Sequence, residues 1–314
     1  MKILLLGKNG QVGWELQRAL APLGELIALD RHNQIGVAQQ CDNQAVLCGD
    51  LSNSEAIRTT ISTVKPDIVV NAAAYTAVDK AESASQDADM INHLAVQVMA
   101  EACQQIGALL VHYSTDYVFD GQGTQARAET DSTDPLNIYG KTKRAGELAI
   151  LASGCNTLIF RTSWVYATRG NNFIKTMLRL AQQRDELSII NDQIGAPTSA
   201  ALIADVTAHA LKIYANAQAP AQLSGIYHLT AAGSVSWYDY AQFIFKQASY
   251  LGHSLKVQQV KPIDTSAYPT PAQRPLNSRL SLAKLEQQFG LTLPRWQQGV
   301  LHTLQAIIEG KTEK

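Results

Sequence analysis

The first 20 residues, MKILLLGKNGQVGWELQRAL (residues 1–20), contain an apolar strand, a glycine-rich turn and the start of a helix. Residues 3–6 are a continuous apolar run, which is typical of a buried parallel strand. Gly7, Gly10 and Gly13 follow it, where small residues let backbone amides approach a pyrophosphate at a helix N-terminus. Because the spacing is Gly-x-x-Gly-x-x-Gly rather than Gly-x-Gly-x-x-Gly, an ordinary glycine turn is the alternative interpretation.

The same alternation of strand and helix continues beyond this turn. Further strands are predicted at residues 26–30, 45–50, 67–74, 108–115 and 157–166. Helices are predicted after a capping box of Ser52 and Glu55, over residues 90–102, and from Ile138. This order predicts an α/β fold with a doubly wound parallel sheet of the Rossmann type and a smaller, discontinuous C-terminal substrate lobe.

The second half of the chain is less regular. A helix is predicted at residues 173–182, a strand at 187–190 and a helix from Ser199, and a proline-rich segment, 261–278, is expected to be an ordered loop on the substrate side. We therefore predict a dinucleotide-binding domain at residues 1–168. Residues 169–314 are expected to be mainly the substrate-binding lobe, with residues 199–229 rejoining the first domain.

Composition excludes several classes of protein. The 314 residues are 46 % hydrophobic and 17 % charged, and the formal net charge is −1, so a basic surface for nucleic acid is not expected. No apolar run approaches the roughly 20 residues needed to cross a membrane, and the opening apolar run is too short for a signal peptide. The cysteines show no disulfide framework, which favours a cytoplasmic location; they are Cys41, Cys48, Cys103 and Cys155.

The end of the second predicted strand bears on the choice of cofactor. Asp30 stands about 20 residues beyond the glycines, where a carboxylate accepts hydrogen bonds from ribose hydroxyls. Asp30 favours NADH, whereas the neighbouring Arg31 and His32 could pair with the 2′-phosphate of NADPH, and both cofactors stay open. Asp50 and Leu51 are placed to flank an adenine, although a solvated carboxylate at a strand end is nearly as good an interpretation of Asp50.

A tyrosine and a lysine four residues apart form the chemical centre of the sequence. Tyr139 and Lys143 lie at the start of a predicted helix and hence on one face of it. A phenol has an ordinary pKa near 10, and a nearby cation is expected to lower that pKa toward neutral pH. The fifth predicted strand ends at Thr115, whose hydroxyl can reach the same substrate oxygen as the phenol.

These features resemble the extended short-chain dehydrogenase/reductase family. The resemblance covers nearly the whole chain through GKNGQVGWEL, NAAAYTAVDKAE, HYSTDYVFDG, PLNIYGKTK, RTSWVY, NDQIGAPT and RPLNSRL. Within the family it implies the NADPH- or NADH-dependent reduction of the 4-keto group of dTDP-4-dehydro-L-rhamnose. In that scheme Tyr139 donates the proton, Lys143 tunes the phenol and binds the cofactor ribose, and Thr115 hydrogen-bonds the reacting oxygen.

The matching segments also imply binding residues. Gln11 and Val12, with Gly10, would meet the pyrophosphate, and the residues after the fourth strand would line the cofactor; these are Ala74, Tyr75 and Thr76. The implied substrate contacts are Val78, Thr115, Asp116, Trp164 and Arg274, with Arg279 as a further candidate for the diphosphate. Trp164 has a simple core position as its alternative, and Arg274 a surface ion pair. Asn92 matches an asparagine that orders a relay water, with a helix-surface amide as the alternative.

The sequence also bears on a metal site, on binding partners and on alternative functions. The sequence shows no His/Cys cluster, and the carboxylates of Glu15, Asp192 and Asp205 are scattered. If Mg²⁺ binds, it is expected at a structural or subunit contact rather than in catalysis. The expected partners are a dTDP-sugar and a second copy of the chain as a homodimer. The alternatives are a non-catalytic dinucleotide-binding regulatory subunit and a reductase or epimerase of another nucleotide sugar.

Overall fold

The computed structural model describes residues 1–32, 35–36 and 46–312. Its strands are β1 (Lys2–Leu6), β2 (Glu25–Leu29), β3 (Ile35–Gly36), β4 (Val46–Leu47), β5 (Ile68–Asn71), β6 (Leu109–Thr115), β7 (Thr157–Thr162), β8 (Val165–Tyr166), β9 (Glu186–Ile190), β10 (Ile194–Gly195), β11 (Thr198–Ser199), β12 (Gly225–His228), β13 (Val235–Ser236) and β14 (Gln259–Ile263). Its α-helices are α1 (Gln11–Leu20), α2 (Ser54–Val64), α3 (Val78–Ala81), α4 (Ser85–Asp89), α5 (Ala95–Ile106), α6 (Ile138–Ser153), α7 (Phe173–Gln183), α8 (Ala200–Asn216), α9 (Trp237–Tyr250), α10 (Ala283–Phe289) and α11 (Trp296–Thr312).

A six-stranded parallel sheet organises the first lobe. Its order is β12-β7-β6-β5-β1-β2, and every pair of neighbours is parallel. The chain leaves β1 on one side for β2 and returns on the other side for β5, so the strand order reverses at β1. Ligands of open α/β sheets bind beyond the carboxyl ends of the strands at such a reversal. The predicted fold class is confirmed.

One predicted strand does not join this sheet. Residues 45–50 were expected to form its third strand, but among the described residues 46–50 only Val46–Leu47 is extended, and it pairs antiparallel with Ile35–Gly36. The Thr60 hydroxyl accepts from the Cys48 N–H (2.9 Å) and donates to the Cys48 carbonyl (3.1 Å). A side chain of α2 thus satisfies backbone groups that would otherwise need a neighbouring strand. Cys41 lies outside the described residues.

Three further local differences separate the structure from the sequence expectations. Asn53, not Ser52, caps α2, since its side chain accepts from the Ala56 N–H. The helix expected at residues 90–102 runs from α4 through a π-helical turn, Met90–Leu94, into α5. The strand expected at residues 157–166 breaks between β7 and β8 at Trp164, whose φ of +49° is incompatible with an extended chain.

Apolar side chains fill both faces of the large sheet and a separate second lobe. Ile3 and Leu5 face the layer of α1 and α8, whereas Leu4 and Leu6 face the layer of α2 and α5. A third core joins α7, α9 and α11 in the second lobe. Helix α8 packs against α1 and β12 joins the six-stranded sheet, while the predicted domain division, at residue 168 and over residues 199–229, stays a prediction. In the described ranges no helix is long and apolar enough to cross a membrane.

A buried ion pair fastens α6 to the sheet. Arg161 in β7 donates from Nε and Nη2 to the two carboxylate oxygens of Glu147 in α6, at 2.9 and 2.7 Å. Both side chains are 3 % exposed, and the guanidinium also lies 5.0 Å from the centre of the Phe119 ring. A buried charge without its partner is strongly destabilising, so the pair holds α6 at one position on the sheet.

We expect Glu147→Ala to lower the free energy of unfolding by about 3–5 kcal/mol, because it leaves the Arg161 guanidinium buried without a counter-ion. Urea titration of the purified chain measures this loss. The double variant Glu147→Met/Arg161→Met is the control, since it removes both charges and should cost clearly less. A single variant that loses under about 1 kcal/mol would contradict the anchoring role.

Candidate active site

The glycine turn after β1 lies close against the end of β5. Gly7 has a φ of +87°, and a side-chain carbon there would lie 2.7 Å from the Ala73 nitrogen. A side-chain carbon on Gly13 would lie 2.0 Å from the Gly7 carbonyl oxygen, so both positions require glycine. Gly10 caps α1 without a side-chain hydrogen bond, and the first N–H groups of a helix have no intrahelical acceptor. The residues present therefore fit the pyrophosphate of a dinucleotide.

The second lobe contacts the start of α1 through Gln11. Asn172 donates from Nδ2 to the Gln11 side-chain oxygen (3.1 Å) and to the Ala167 carbonyl (2.7 Å). A side chain on Gly170 would lie 3.2 Å from the Gln11 side chain. Val12 instead packs partly buried against the core. The backbone amides of these two residues lie in the first turn of α1, where the sequence predicts contact with the pyrophosphate.

The carboxylate of Asp30 lies at the end of β2, on the predicted ribose side. Its side chain is buried and accepts hydrogen bonds from the Asn9 side chain and from the His32 N–H. Arg31 and His32 are exposed and contact each other at 3.4 Å. A fixed carboxylate and an exposed guanidinium therefore lie side by side, the first suited to ribose hydroxyls and the second to a phosphate.

The residues predicted to flank an adenine take two different roles in the structure. Asp50 accepts from the Ser52 N–H (3.0 Å) and so stabilises the turn before α2. Leu51 is buried in the core that joins α2 and α5. The structure places both beyond β4, and contact with an adenine stays a prediction.

Asn92 connects the cofactor side of the site to α6. It is fully buried in the π-helical turn, so the alternative of a helix-surface amide is wrong. Its side chain accepts from the Tyr75 N–H (2.9 Å) and donates to the Tyr75 carbonyl (3.1 Å) and to the Thr142 hydroxyl (3.2 Å). It thereby holds the segment that contains Ala74, Tyr75 and Thr76. π-Helical turns occur frequently at functional sites.

The predicted proton donor, Tyr139, lies in the first turn of α6. Asn137 caps this helix by accepting from the Gly140 N–H (2.8 Å), and the Tyr139 ring meets the Tyr117 ring edge-on at 5.7 Å. Burial and, to a smaller extent, the charge of Asp116 raise the pKa of Tyr139 to about 12, although a hydrogen bond with Thr115 opposes the rise. The expectation of a lowered phenol pKa is therefore wrong for the described chain.

Thr115 and Asp116 end β6 beside this phenol. The Thr115 hydroxyl donates to an Asp116 carboxylate oxygen (2.9 Å) and accepts from the Tyr117 N–H (3.2 Å). Burial raises the pKa of Asp116 to about 6, although hydrogen bonds with Ser278 and Thr115 lower it. The carboxylate thus fixes the orientation of the hydroxyl that the sequence assigns to the reacting oxygen.

Lys143 lies one turn further along α6 and is fully buried. Its Nζ donates to the Tyr113 carbonyl (2.6 Å) and contacts Nε2 of His112 at 3.1 Å. Burial lowers the pKa of Lys143 to about 8, and the charge of Glu147 acts in the opposite direction. Nζ of Lys143 is thus hydrogen-bonded to β6, and the charge that acts on the pKa of Tyr139 is that of Asp116.

Arg274 and Asp79 form an ion pair between the two lobes. Arg274 donates from Nη1 and Nη2 to the two oxygens of Asp79, both at 2.9 Å, and also to the Thr270 hydroxyl. Asp79 follows Val78, which begins α3 and is partly buried. Arg274 thus has the ion pair that the sequence offered as its alternative role. Asp79 was missed, although its position beside a predicted substrate residue in a short helix was the available signal.

The remaining substrate candidates, Trp164 and Arg279, have other partners in the structure. Trp164 stacks on Trp237 with ring centres 3.4 Å apart, and Gly195 leaves room for its indole. Arg279 donates to the Asn277 side chain at 3.0 Å. The described contacts of Trp164 are those of lobe packing, and its contact with a sugar stays a prediction.

The carboxylates considered for magnesium do not converge. Glu15 and Asp205 both flank Arg18, at 3.8 and 2.8 Å, whereas Asp192 accepts from the backbone and hydroxyl of Thr265. No group of three His, Cys, Asp or Glu side chains suited to a metal occurs among the described residues. The described residues therefore do not fit a resident magnesium ion.

Comparison with known proteins assigns the chain to a family. The family model described as "RmlD substrate binding domain" matches residues 1–308. A dTDP-4-dehydrorhamnose reductase of Escherichia coli K12 is 53 % identical over 304 residues, covering 97 % of each chain. A crystal structure of such a reductase from Clostridium acetobutylicum has a TM-score of 0.85 at 35 % identity, covering 98 % of this chain and 100 % of that chain.

A second solved structure bears on the cofactor. The dTDP-4-dehydrorhamnose reductase of Bacillus anthracis, determined in complex with NADP, has a TM-score of 0.82 at 34 % identity and covers 96 % of this chain and 99 % of its own. Sequence and structure therefore agree along nearly the whole chain. The chain belongs to the RmlD family of dTDP-4-dehydrorhamnose reductases, which are oxidoreductases of dTDP-rhamnose biosynthesis.

Proposed function

We propose that this chain reduces the 4-keto group of dTDP-4-dehydro-L-rhamnose to give dTDP-L-rhamnose, with Tyr139 as the proton donor. The observation that carries the proposal is the hydrogen bond between Thr115, at the end of β6, and the Tyr139 phenol, with Lys143 one turn further along the same helix. The identity of 53 % to a reductase of this substrate supports the choice of sugar.

The proposed cofactor is NADPH, which supplies the hydride when bound. The glycine turn with the first amides of α1 would bind its pyrophosphate, and the segment held by Asn92 would line its nicotinamide side. Lys143 would hold the ribose hydroxyls. The second lobe, which contacts Gln11, would help to exclude water from the reacting atoms.

The raised pKa of Tyr139 suits a reduction. A phenol with a pKa of about 12 is protonated at neutral pH, so the proton is present at the Tyr139 oxygen when the keto oxygen acquires negative charge. Thr115, oriented by Asp116, lies beside that oxygen as a second hydrogen-bonding group. Alignment and stabilisation of this charge are what the chain's own residues contribute.

The substrate side is proposed to include Val78, Asp116, Trp164 and Arg274. Arg274 carries a planar guanidinium suited to the oxygens of a diphosphate. Its bidentate pair with Asp79 holds it at the boundary of the two lobes, and 23 % of its side chain remains exposed there. A diphosphate could therefore bind it on the open side without the loss of Asp79.

We expect Tyr139→Phe to lower kcat by about 10²- to 10⁴-fold, because the proton donor is removed while the ring stays. The Kd for NADPH, measured by fluorescence titration, should change little. Consumption of NADPH with dTDP-4-dehydro-L-rhamnose gives kcat, and mass spectrometry with NMR identifies the sugar.

Tyr227→Phe is the matched control, because Tyr227 is buried in β12 and its hydroxyl donates to the Leu223 carbonyl, away from the site. An unchanged kcat for Tyr139→Phe would remove that residue from its proposed role. NADPH binding without turnover in the unmodified chain would contradict the proposed reaction and favour a regulatory subunit or another sugar.

For the cofactor, we expect Arg31→Ala to raise the KM for NADPH about tenfold, since a charge-assisted contact to the 2′-phosphate is lost. The KM for NADH should stay within about twofold because NADH lacks that phosphate. Arg184→Ala, an exposed arginine at the end of α7, is the control. Equal effects on both cofactors would contradict the assignment of Arg31.

We propose a homodimer as the working assembly. Leu148 and Leu151 of α6 leave 47 % and 46 % of their surfaces exposed, and Leu94 of the neighbouring helix is also exposed. Such apolar exposure favours a protein contact. Light scattering should therefore give twice the chain mass of 34.1 kDa, and a monomer at micromolar concentration would contradict the proposal. A cytoplasmic location is proposed from the free thiols of Cys48, Cys103 and Cys155.

A further inference from the structure

Three buried side chains form a continuous row that joins β5, β6 and α6. Asn71 ends β5, His112 lies opposite it in the register of β6, and Lys143 projects from α6. Nδ2 of Asn71 lies 3.1 Å from Nδ1 of His112, and Nε2 of His112 lies 3.1 Å from Nζ of Lys143. Each residue is only 1 % exposed. Because water does not reach this row, each of its hydrogen bonds needs a donor and an acceptor from the protein.

The backbone decides the orientation of Asn71. The Ala73 N–H donates to the Asn71 side chain at 3.1 Å, and a backbone N–H can only donate. The atom that receives this bond must therefore be the carbonyl oxygen of the Asn71 amide. The amide nitrogen consequently faces Nδ1 of His112 and donates to it.

This bond selects one tautomer of His112. Burial and the charge of Lys143 keep the pKa of His112 well below its usual value, so the ring is neutral and carries one proton. Since Nδ1 accepts from Asn71, that proton resides on Nε2. The Nε2–H then points at Nζ of Lys143.

An ammonium has no lone pair with which to accept this proton. The neutral amine of Lys143 can accept it and still donate to the Tyr113 carbonyl at 2.6 Å. We propose that Asn71 and His112 are positioning residues that weaken the affinity of Lys143 for its proton, by presenting a hydrogen-bond donor where an ammonium would need an acceptor. This role in a reductase rests on the proposed function, whereas the hydrogen-bond pattern does not.

The charged groups around Lys143 do not compensate for this donor. Glu147 on the same helix raises the pKa of Lys143, but its carboxylate is engaged in the bidentate pair with Arg161. Tyr113 offers only its carbonyl, since its hydroxyl pairs with Thr207 and burial raises the pKa of that phenol.

The negative charge of Asp116 raises the pKa of Tyr139. No carboxylate among the described residues hydrogen-bonds Nζ of Lys143. An ammonium group that holds its proton weakly is a stronger acid than an ordinary lysine. In the proposed reaction Lys143 holds the cofactor ribose, so its protonation state is expected to affect turnover.

The tautomer of His112 is the first test. The free chain, labelled with ¹⁵N in its histidines and lysines, is studied by NMR, with the His112 signals assigned from His112→Gln. We expect a protonated Nε2 and an unprotonated Nδ1 through neutral pH. A proton on Nδ1, or a doubly protonated ring at neutral pH, overturns the proposal.

The titration of Lys143 is the second test, with its Nζ signal assigned from Lys143→Arg. In His112→Gln a carboxamide oxygen can accept from the ammonium, so the pKa of Lys143 should rise by about 1–2 units. His228→Gln is the matched control, because His228 is also buried in the sheet but lies against Phe119. If the pKa of Lys143 rises no more in His112→Gln than in His228→Gln, the proposal is overturned.

Asn71→Asp provides a second variant should His112→Gln not fold. Its carboxylate can accept from both the Ala73 N–H and a proton on Nδ1, which turns Nε2 into an acceptor for the ammonium. The pKa of Lys143 should again rise, and Nδ1 of His112 should become protonated. An unchanged tautomer and titration in this variant would contradict the mechanism.

The kinetic consequence separates this inference from the proposed function. Loss of the Lys143 proton should lower kcat/KM at alkaline pH, and in His112→Gln that decline should move to higher pH by about 1–2 units. If the chain is an active reductase but the pKa of Lys143 is the same in both variants as in the unmodified chain, the proposed function stands and this inference is overturned. A shifted titration in a chain without reductase activity supports the hydrogen-bond pattern and removes only its role in the reaction.

Discussion

The site depends on the buried ion pair between Glu147 and Arg161. It joins α6 to β7 where neither charge reaches water, so each requires the other in one geometry. Lys143 lies one turn and Tyr139 two turns before Glu147 on the same helix. The position of Tyr139 relative to the strand ends therefore depends on an interaction eight residues further along the helix.

Two close backbone contacts hold the same helix from its other sides. A side-chain carbon on Gly146 would lie 2.2 Å from the Asn92 carbonyl, and one on Gly140 would lie 2.2 Å from the Tyr117 carbonyl. Only glycine allows α6 to approach the π-helical turn and the end of β6 this closely. The helix thus contacts both the segment on the cofactor side and the strand that carries Thr115.

Burial then controls the ionisation of the site. It raises the pKa of Tyr139 and Asp116 and lowers that of Lys143, because a buried group is less stable in its charged form. The phenol stays protonated, as a reduction requires. The lysine, which lies against His112 and the Tyr113 carbonyl, is weakened as a base by the same environment.

The sequence by itself determined the strand–turn–helix start, the parallel sheet and the placement of Tyr139, Lys143 and Thr115, because these follow from local periodicity and short spacings. Only the tertiary structure decided that Lys143 points at His112, that Asn92 is buried, and that Arg274 pairs with Asp79 across 195 positions of the chain. It also kept residues 46–50 out of the large sheet, where the Thr60 side chain of α2 bonds backbone groups that a neighbouring strand would otherwise bond. These outcomes depend on burial and on partners that are distant in sequence. A local sequence pattern does not indicate which distant side chains come into contact when the chain packs.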